Sequence, residues 1–390
     1  MKSGSAVEAR PFGRLVSLDV FRGATIAAML LVNNAGDWKH VYGPLRHADW
    51  HGCTFTDLIF PFFLFIVGVA IVFSLGRQQE KGTDRSSVVA AITRRALILI
   101  ALGMLLNLLG LFLLPWSESF RPLGVLQRIG ICYFAAALLT LYGSPRGLAV
   151  CFVILLAGYW ALMHFAHVPG HGPGDLTREG NLASAIDTRV LGRHCYEFDA
   201  ETGLGHEPEG LLSTVPAIAT VLSGCLAGFW LRRKDVGGGT KAAAMIGAGA
   251  VLIGAALVWN QWFPLNKNLW TSSYVLFSSG WALVALGACY WMVDVRGWRW
   301  WTTPFVVYGM NAITAYVGVA VVAYLTIGIK IPKEGAEPVF LKTWLYNHAY
   351  APVFGQISPY LASAAYGFTY VLLFCAIMWA LYRRRIFLKV

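Results

Sequence analysis

Long apolar runs separated by short polar connections dominate the hydrophobic pattern of this chain. A helix needs about 20 mostly apolar residues to cross about 30 Å of hydrocarbon. The pattern predicts an all-α, polytopic transmembrane bundle of about ten helices, forming one domain over residues 1–390. The predicted spans cover roughly residues 18–34, 55–75, 93–114, 124–142, 147–165, 211–231, 242–262, 273–293, 304–328 and 361–382.

Composition supports this interpretation. The chain is 57% hydrophobic and 13% charged, whereas a soluble domain is about half apolar and about a quarter charged. A water-soluble chain of this length would have to hide more apolar surface than its core could hold. The net charge of +11 comes mostly from Lys and Arg at the ends of apolar runs. The charge therefore indicates membrane topology, and no nucleic acid partner is expected.

The distribution of basic residues predicts the orientation. Nineteen Lys and Arg fall on the N-terminal segment, the even-numbered connections and the C-terminal segment, and ten fall on the opposite side. Basic residues concentrate on the cytoplasmic side of membrane proteins, so both termini are predicted to be cytoplasmic. The longest connections, roughly 35–54, 166–210 and 329–360, then lie outside.

Reactive side chains are densest between the first two predicted spans, in residues 33–61. Asp57 precedes a long apolar run, where a carboxylate can be a plain helix cap. His47 lies ten residues earlier and can fold back onto Asp57. A histidine oriented by a carboxylate is the arrangement that acyl-transfer chemistry uses. The spacing alone does not decide whether Asp57 is a helix cap or the partner of a catalytic His47.

A second histidine group, His164, His167 and His171, follows the fifth predicted span. The spacing would permit a zinc site on one helical face. Pro169 and Gly170 interrupt the helix before the third histidine. We therefore predict a solvated loop and no metal.

Several sequence blocks carry a family resemblance. They are RLVSLDVFRG, LVNNAG, RHADWHGCTFTDLIFPFFLFIVG, GVLQRIGICYF, EPEGLLSTVPAI, NKNLW and GMNAITAYVG, in this order over almost the whole chain. The blocks resemble the heparan-α-glucosaminide N-acetyltransferase family of transmembrane acyltransferases. The chain begins directly at the first block, without the luminal domain of lysosomal members, and so resembles the compact bacterial branch. The resemblance implies a multi-pass protein of the bacterial cytoplasmic membrane.

The resemblance also implies a reaction. Acetyl-CoA enters from the cytoplasm as co-substrate, and the acceptor is the amine of a glucosamine-type sugar on the outer side. The family's active-site histidine matches His47, its asparagine matches Asn33 and its carboxylate matches Asp57. His47 is then a general base or a covalent acetyl acceptor, and we favour direct transfer in a ternary complex. Asn33 is a candidate oxyanion donor, with a helix C-terminal cap as the alternative.

Coenzyme A has phosphates that favour Arg and Lys. Arg22 and Arg14 lie at the cytoplasmic start of the first predicted span, and Arg128 lies inside the fourth. A charged residue within a span is costly and by default functional, so Arg128 is the most informative of the three. Arg22 is equally explained as an anchor at the membrane surface.

The residues that bind the acceptor sugar are predicted to lie in the outer loops. Lys267 and Asn268 of NKNLW line the mouth of the site or pack at the interface. Trp50 lies in the outer loop beside His47, where a tryptophan stacks on a sugar ring or belongs to the interfacial aromatic belt.

A transporter of a small anionic or sugar substrate is the competing function, since many helices and a charged residue within a span also describe one. Transporters keep coupling carboxylates near the midplane, whereas Asp19, Asp57 and Asp294 lie at span ends. A membrane scaffold would leave the His47 block unexplained. The expected partners are acetyl-CoA, an amino sugar and the lipid bilayer, with a homodimer as one form of assembly.

Overall fold

The computed structural model describes residues 15–333 and 336–387, so Arg14 lies outside the described residues. The described part is mainly helical, as the apolar runs predict. Its helices are α1 (Val16–Val32), α2 (Phe55–Glu80), α3 (Arg85–Leu113), α4 (Val125–Tyr142), α5 (Pro145–Phe165), α6 (Leu182–Leu191), α7 (Thr214–Arg232), α8 (Gly238–Trp259), α9 (Ser272–Tyr290), α10 (Thr303–Met310), α11 (Ala312–Gly328), α12 (Leu341–Leu345), α13 (Ala351–Phe354) and α14 (Pro359–Arg383).

Two antiparallel strand pairs lie in the long connections, where only loops were predicted. The strands are β1 (Glu197–Phe198), β2 (Gly205–His206), β3 (Lys330–Lys333) and β4 (Ala336–Phe340). β1 pairs with β2, and β3 pairs with β4 through an irregular register. The strands are too short to form a sheet domain, so they only order the connections.

Eight helices of the described residues are long and apolar enough to cross a bilayer. A ninth span results if α10 and α11, which meet at an angle of 82° near Asn311, are counted as one broken span. Helix α1 overlaps the first predicted span but begins and ends two residues earlier, and its 17 residues are slightly short for a span. A total of ten membrane-spanning helices therefore stays a prediction.

Helices α2 and α7 cross closely at the centre of the bundle. A Cβ atom at Gly68 would lie 2.0 Å from the carbonyl oxygen of Val221, and one at Gly224 would lie 2.0 Å from that of Phe65. Small residues let helix backbones approach within a membrane, where packing replaces the hydrophobic effect. The crossing fixes the position of α2, which carries Asp57 at its start.

Gly224→Ala is expected to destabilise the bundle by about 1–3 kcal/mol, because an added methyl group overpacks the crossing. Thermal unfolding of the purified protein in detergent measures the change. Gly158→Ala in α5 is the matched control, since a Cβ atom added there would meet no atom within 4 Å. The control should be neutral or slightly stabilising. Equal stability of the two variants would contradict the close crossing.

The outer helices α3, α5 and α8 bury only a minor part of their residues inside the bundle. On α3 the exposed residues include Leu97, Leu105 and Phe112. Contiguous apolar surface of this extent is not stable in water, whereas lipid tails solvate it. The chain is therefore a helical membrane protein.

Three connections meet at one end of the bundle. Gly52 donates to the carbonyl of Leu265 at 2.7 Å, and Trp50 donates through Nε1 to the carbonyl of Leu176 at 2.8 Å. These contacts join residues 33–54, 166–213 and 260–271. We call the end of the bundle formed by these three segments the site end.

Candidate active site

The first turn of α2 positions a buried carboxylate at the site end. Asp57 Oδ2 accepts hydrogen bonds from the backbone N–H of Thr54 at 2.9 Å and of Ala48 at 3.1 Å. The bond to Thr54 belongs to a capping box, in which a side chain satisfies an N–H that the helix leaves unpaired. The cap therefore exists, but it occupies only one of the two carboxylate oxygens.

The other oxygen of Asp57 binds His47. The distance from His47 Nδ1 to Asp57 Oδ1 is 2.6 Å, and the Asp57 side chain is 1% exposed while that of His47 is 49% exposed. A carboxylate only accepts hydrogen bonds, so Nδ1 carries the proton. The lone pair of Nε2 is then available to a proton donor that enters from solvent. This is the geometry of an oriented general base.

Lys267 reaches the same histidine from the connection between α8 and α9. Its Nζ lies 3.3 Å from Nδ1 and 3.4 Å from Nε2 of His47, and 3.9 Å from Asp57 Oδ1. Burial lowers the pKa of Lys267, and the negative charges of Asp57 and Glu209 oppose this effect. The structure thus joins two predicted catalytic residues with one predicted substrate-binding residue.

Cys53 lies beside this cluster. Burial, together with the negative charge of Asp57, raises the pKa of Cys53 to about 12. A thiol with this pKa is protonated at neutral pH and is a poor nucleophile. Cys53 is therefore an unsuitable acetyl acceptor.

Aromatic rings form the inner wall below the cluster. Trp270 packs edge to face against Phe60 and Tyr274, and the Tyr274 hydroxyl donates to the carbonyl of Asp57 at 2.5 Å. Trp270 itself donates through Nε1 to Thr220 Oγ1 at 3.1 Å. The wall ties α2, α7 and α9 together directly behind Asp57.

Arg128 is buried against the same wall. Its guanidinium lies 5.1 Å from the centre of the Trp270 ring, and Nη2 donates to the carbonyl of Gly210 at 3.1 Å and to the hydroxyl of Ser213. Nε and Nη1 are buried without a hydrogen-bond partner in the described part of the chain. Unsatisfied donors on a buried cation are costly, and a ligand acceptor would satisfy them.

A second arginine is neutralised nearby. Arg121 Nε donates to Glu207 Oε2 at 2.8 Å, and Nη2 contacts Glu209 Oε2 at 2.5 Å. Burial would raise the pKa of Glu209, but the positive charges of Arg121, Arg128 and Lys267 outweigh burial and lower it. Arg121 is thus part of a closed ion-pair network that borders the site.

The predicted cofactor-binding arginines do not converge. Arg22 lies near the start of α1, at the opposite end from His47, and donates to the carbonyl of Gly309 at 3.2 Å and to Asp19 at 3.3 Å. Arg128 lies at the site end. One phosphate group cannot contact both residues.

Asn33 is the C-cap of α1, and its side chain is exposed. The side-chain amide of Asn33 makes no hydrogen bond within the described residues, whereas that of the neighbouring Asn34 is buried and donates to the carbonyl of Leu30 at 2.8 Å. The Asn33 amide is therefore free to bind a ligand, although no contact joins it to His47.

The remaining acceptor-side residues differ in their surroundings. Asn268 is partly exposed in the turn after Lys267. Trp50 packs edge to face against His206 at 5.0 Å and carries the guanidinium of Arg178 at 5.0 Å from its ring centre. These contacts leave Trp50 half-buried, and its role in sugar binding stays a prediction.

Residues 15–333 and 336–387 contain no group of three or more His, Cys, Asp or Glu that could hold a metal ion. His164 stacks on Trp160 within α5, and His171 pairs with Asp175 at 3.1 Å beyond its end.

Sequence reasoning missed the buried charges and amides that support the site. Glu207 and Glu209 lie in EPEGLLSTVPAI, where two closely spaced carboxylates before an apolar run were the available signal. Asn266 is fully buried, and its Oδ1 accepts from the N–H of Leu269 at 2.8 Å. No local pattern distinguishes it from Asn268.

Comparison with known proteins relates this chain to one family. The family whose model matches residues 14–177 is described as heparan-alpha-glucosaminide N-acetyltransferase, catalytic. The mouse (Mus musculus) heparan-alpha-glucosaminide N-acetyltransferase is 32% identical, with 78% of this chain and 53% of the mouse protein covered. The human (Homo sapiens) protein of that name is also 32% identical, with 78% and 52% covered. The chain spans about half the length of these curated relatives.

Proposed function

Because the chain belongs to the heparan-alpha-glucosaminide N-acetyltransferase family, we propose that it transfers an acetyl group from acetyl-CoA to the amine of an amino sugar. One observation carries the proposal: the exposed imidazole of His47 is bound through Nδ1 to the buried Asp57, and its Nε2 faces a single described partner, the Lys267 ammonium at 3.4 Å. An acyl transfer to an amine needs such an oriented base.

In the proposed reaction, His47 Nε2 removes a proton from the acceptor amine as its nitrogen attacks the thioester carbonyl. Asp57 holds the imidazole in one tautomer and stabilises the imidazolium that forms. Asn33 is proposed to donate to the carbonyl oxygen as that oxygen gains negative charge. The direct route needs no covalent enzyme intermediate, and His47 as an acetyl acceptor is the alternative.

The sidedness of the reaction belongs to the proposal. The excess of basic residues on the side of the termini supports a cytoplasmic entry for acetyl-CoA and an outer site end. We propose the bacterial cytoplasmic membrane as the location. Labelling of a cysteine introduced into the 166–210 loop tests the orientation: the loop should react in intact cells, and reaction only after lysis would reverse it.

Coenzyme A release by the purified protein tests the proposed function. Acetyl-CoA and a panel of amino sugars, with glucosamine first, are incubated with the enzyme, and both the free thiol and the acetylated sugar are measured. We expect one acetylated amine for each thiol released. Absence of product with every amino sugar would refute the proposal.

Arg22 and Arg128 are proposed to bind different parts of acetyl-CoA. Arg22 lies where the phosphates would enter, whereas Arg128 lies at the site end near the pantetheine arm and the acetyl group. Loss of a hydrogen bond to a charged group costs about 1.5–3 kcal/mol, which is about ten-fold or more in affinity. Arg128→Ala should weaken binding of acetyl-CoA and acetyl-pantetheine alike, and Arg22→Ala only that of acetyl-CoA.

Calorimetry on each variant measures these affinities. Unchanged binding of both ligands to Arg128→Ala would assign Arg128 to its structural contacts with Trp270, Gly210 and Ser213. Equal losses for both ligands in Arg22→Ala would contradict its assignment to the phosphates.

A carrier is the second candidate function, and the break between α10 and α11 favours it. Discontinuous helices line substrate sites in many transporters. A carrier would move an amino sugar into sealed proteoliposomes without releasing coenzyme A, so the same assay distinguishes the two functions.

A further inference from the structure

Lys267 has more hydrogen-bond donors than the surrounding protein uses. An ammonium has three N–H donors, and the carboxylate of Asp57 lies 3.9 Å away, beyond hydrogen-bond distance. Nδ1 of His47 already donates to Asp57. Nε2, at 3.4 Å, is then the one acceptor left for Nζ within the described residues. At least two donors remain for a ligand at the imidazole.

The backbone around Lys267 is held firmly. The Lys267 carbonyl accepts from the N–H of Trp270 at 3.1 Å, and Trp270 has a φ of 52° although it is not glycine. This conformation is costly and persists only where the surroundings impose it. Asn266 exchanges backbone and side-chain hydrogen bonds with Thr271 and Leu269. The ammonium is therefore presented from a fixed turn.

Resting on the proposed function, we propose that Lys267 is a further catalytic residue. Its ammonium donates a hydrogen bond to the thioester carbonyl oxygen as the tetrahedral intermediate forms. The amine nitrogen bonds to the carbonyl carbon, the π electrons move to oxygen, and His47 Nε2 takes the amine proton. The C–S bond then breaks, and the coenzyme A thiolate leaves with the proton from His47.

The charges around Lys267 agree with this role. Asp57 on α2 and Glu209 before α7 provide negative charge, Arg128 on α4 provides positive charge, and Cys53 and His47 border the amine from the loop. Because burial lowers the pKa of Lys267, the ammonium loses its proton at a lower pH than an exposed lysine does. Transition-state stabilisation by Lys267 should therefore decline as the pH rises through that lowered value.

The test compares Lys267→Met, Lys267→Arg and the control Lys39→Met, whose lysine is exposed at the same end of the bundle. Loss of one oxyanion donor costs about 10²–10³ in kcat, so Lys267→Met should lose this much. Its acetyl-CoA affinity, measured by calorimetry, should stay within about two-fold of the wild type, because the interaction strengthens mainly in the transition state. Lys39→Met should match the wild type.

The pH–rate profile provides a second measurement that does not depend on Lys267→Met folding. Arginine stays protonated in proteins, so Lys267→Arg should keep part of the activity and lose the alkaline decline of the wild type. An unchanged alkaline decline, or a Lys267→Met effect confined to KM, overturns the proposed role and leaves the acetyltransferase proposal intact. A wild-type enzyme that acetylates no amino sugar refutes both.

Discussion

His47→Ala is expected to lower kcat for acetyl transfer to glucosamine by about 10²–10⁴-fold while acetyl-CoA still binds. The physical reason is that a positioned general base contributes about this factor, and His47 is the histidine whose Nδ1 is held by the buried Asp57 at the site end. Calorimetry with acetyl-CoA separates loss of chemistry from loss of binding.

His40→Ala and His51→Ala are the controls. His40 also has a carboxylate partner, Asp37 at 2.7 Å, but it lies apart from Lys267 and the aromatic wall. His51 lies 3.4 Å from the amide of Asn266, and burial lowers its pKa. Both variants should keep most of the activity. Near-native turnover by His47→Ala would show that the proposed mechanism fails at its central residue.

Asp57→Asn is expected to reduce kcat by up to about 10⁴-fold, the loss known for an asparagine behind a catalytic histidine. The amide nitrogen of asparagine would donate to Nδ1 of His47. The imidazole proton would then move to Nε2, where it blocks the lone pair that the acceptor amine needs. The asparagine oxygen can still accept from the N–H of Thr54, so the helix cap is expected to persist.

Two comparisons distinguish this effect from misfolding. Asp37→Asn changes the matched Asp–His pair outside the site and should leave turnover unchanged. In the double variant His47→Ala/Asp57→Asn, the second substitution should cost little more than the first, because Asp57 acts through His47. Fully additive losses would indicate that Asp57 acts independently of the imidazole.

The helical membrane architecture follows from the sequence alone. Partition into lipid depends on the composition of a contiguous stretch, so the runs at 55–75 and 93–114 identify α2 and α3 without tertiary information. The His47–Asp57 contact was one of two alternatives left by spacing. Both residues lie in one short segment. The cap of α2 holds Asp57 next to the part of the preceding loop that carries His47.

Tertiary packing alone decided the rest of the site. Lys267 is 220 positions from His47 and reaches it only because the connection between α8 and α9 lies over the start of α2. The neutralisation of Arg121 by Glu207 likewise joins two connections that are distant in sequence. The side chain of Asn311, at the break between α10 and α11, donates to the carbonyl of Ile386 beyond α14. A hydrophobic pattern records which residues contact lipid or protein, but it carries no information on which polar groups of distant segments meet. Which of these polar groups meet depends on how closely the helices pack, as at Gly68 and Gly224.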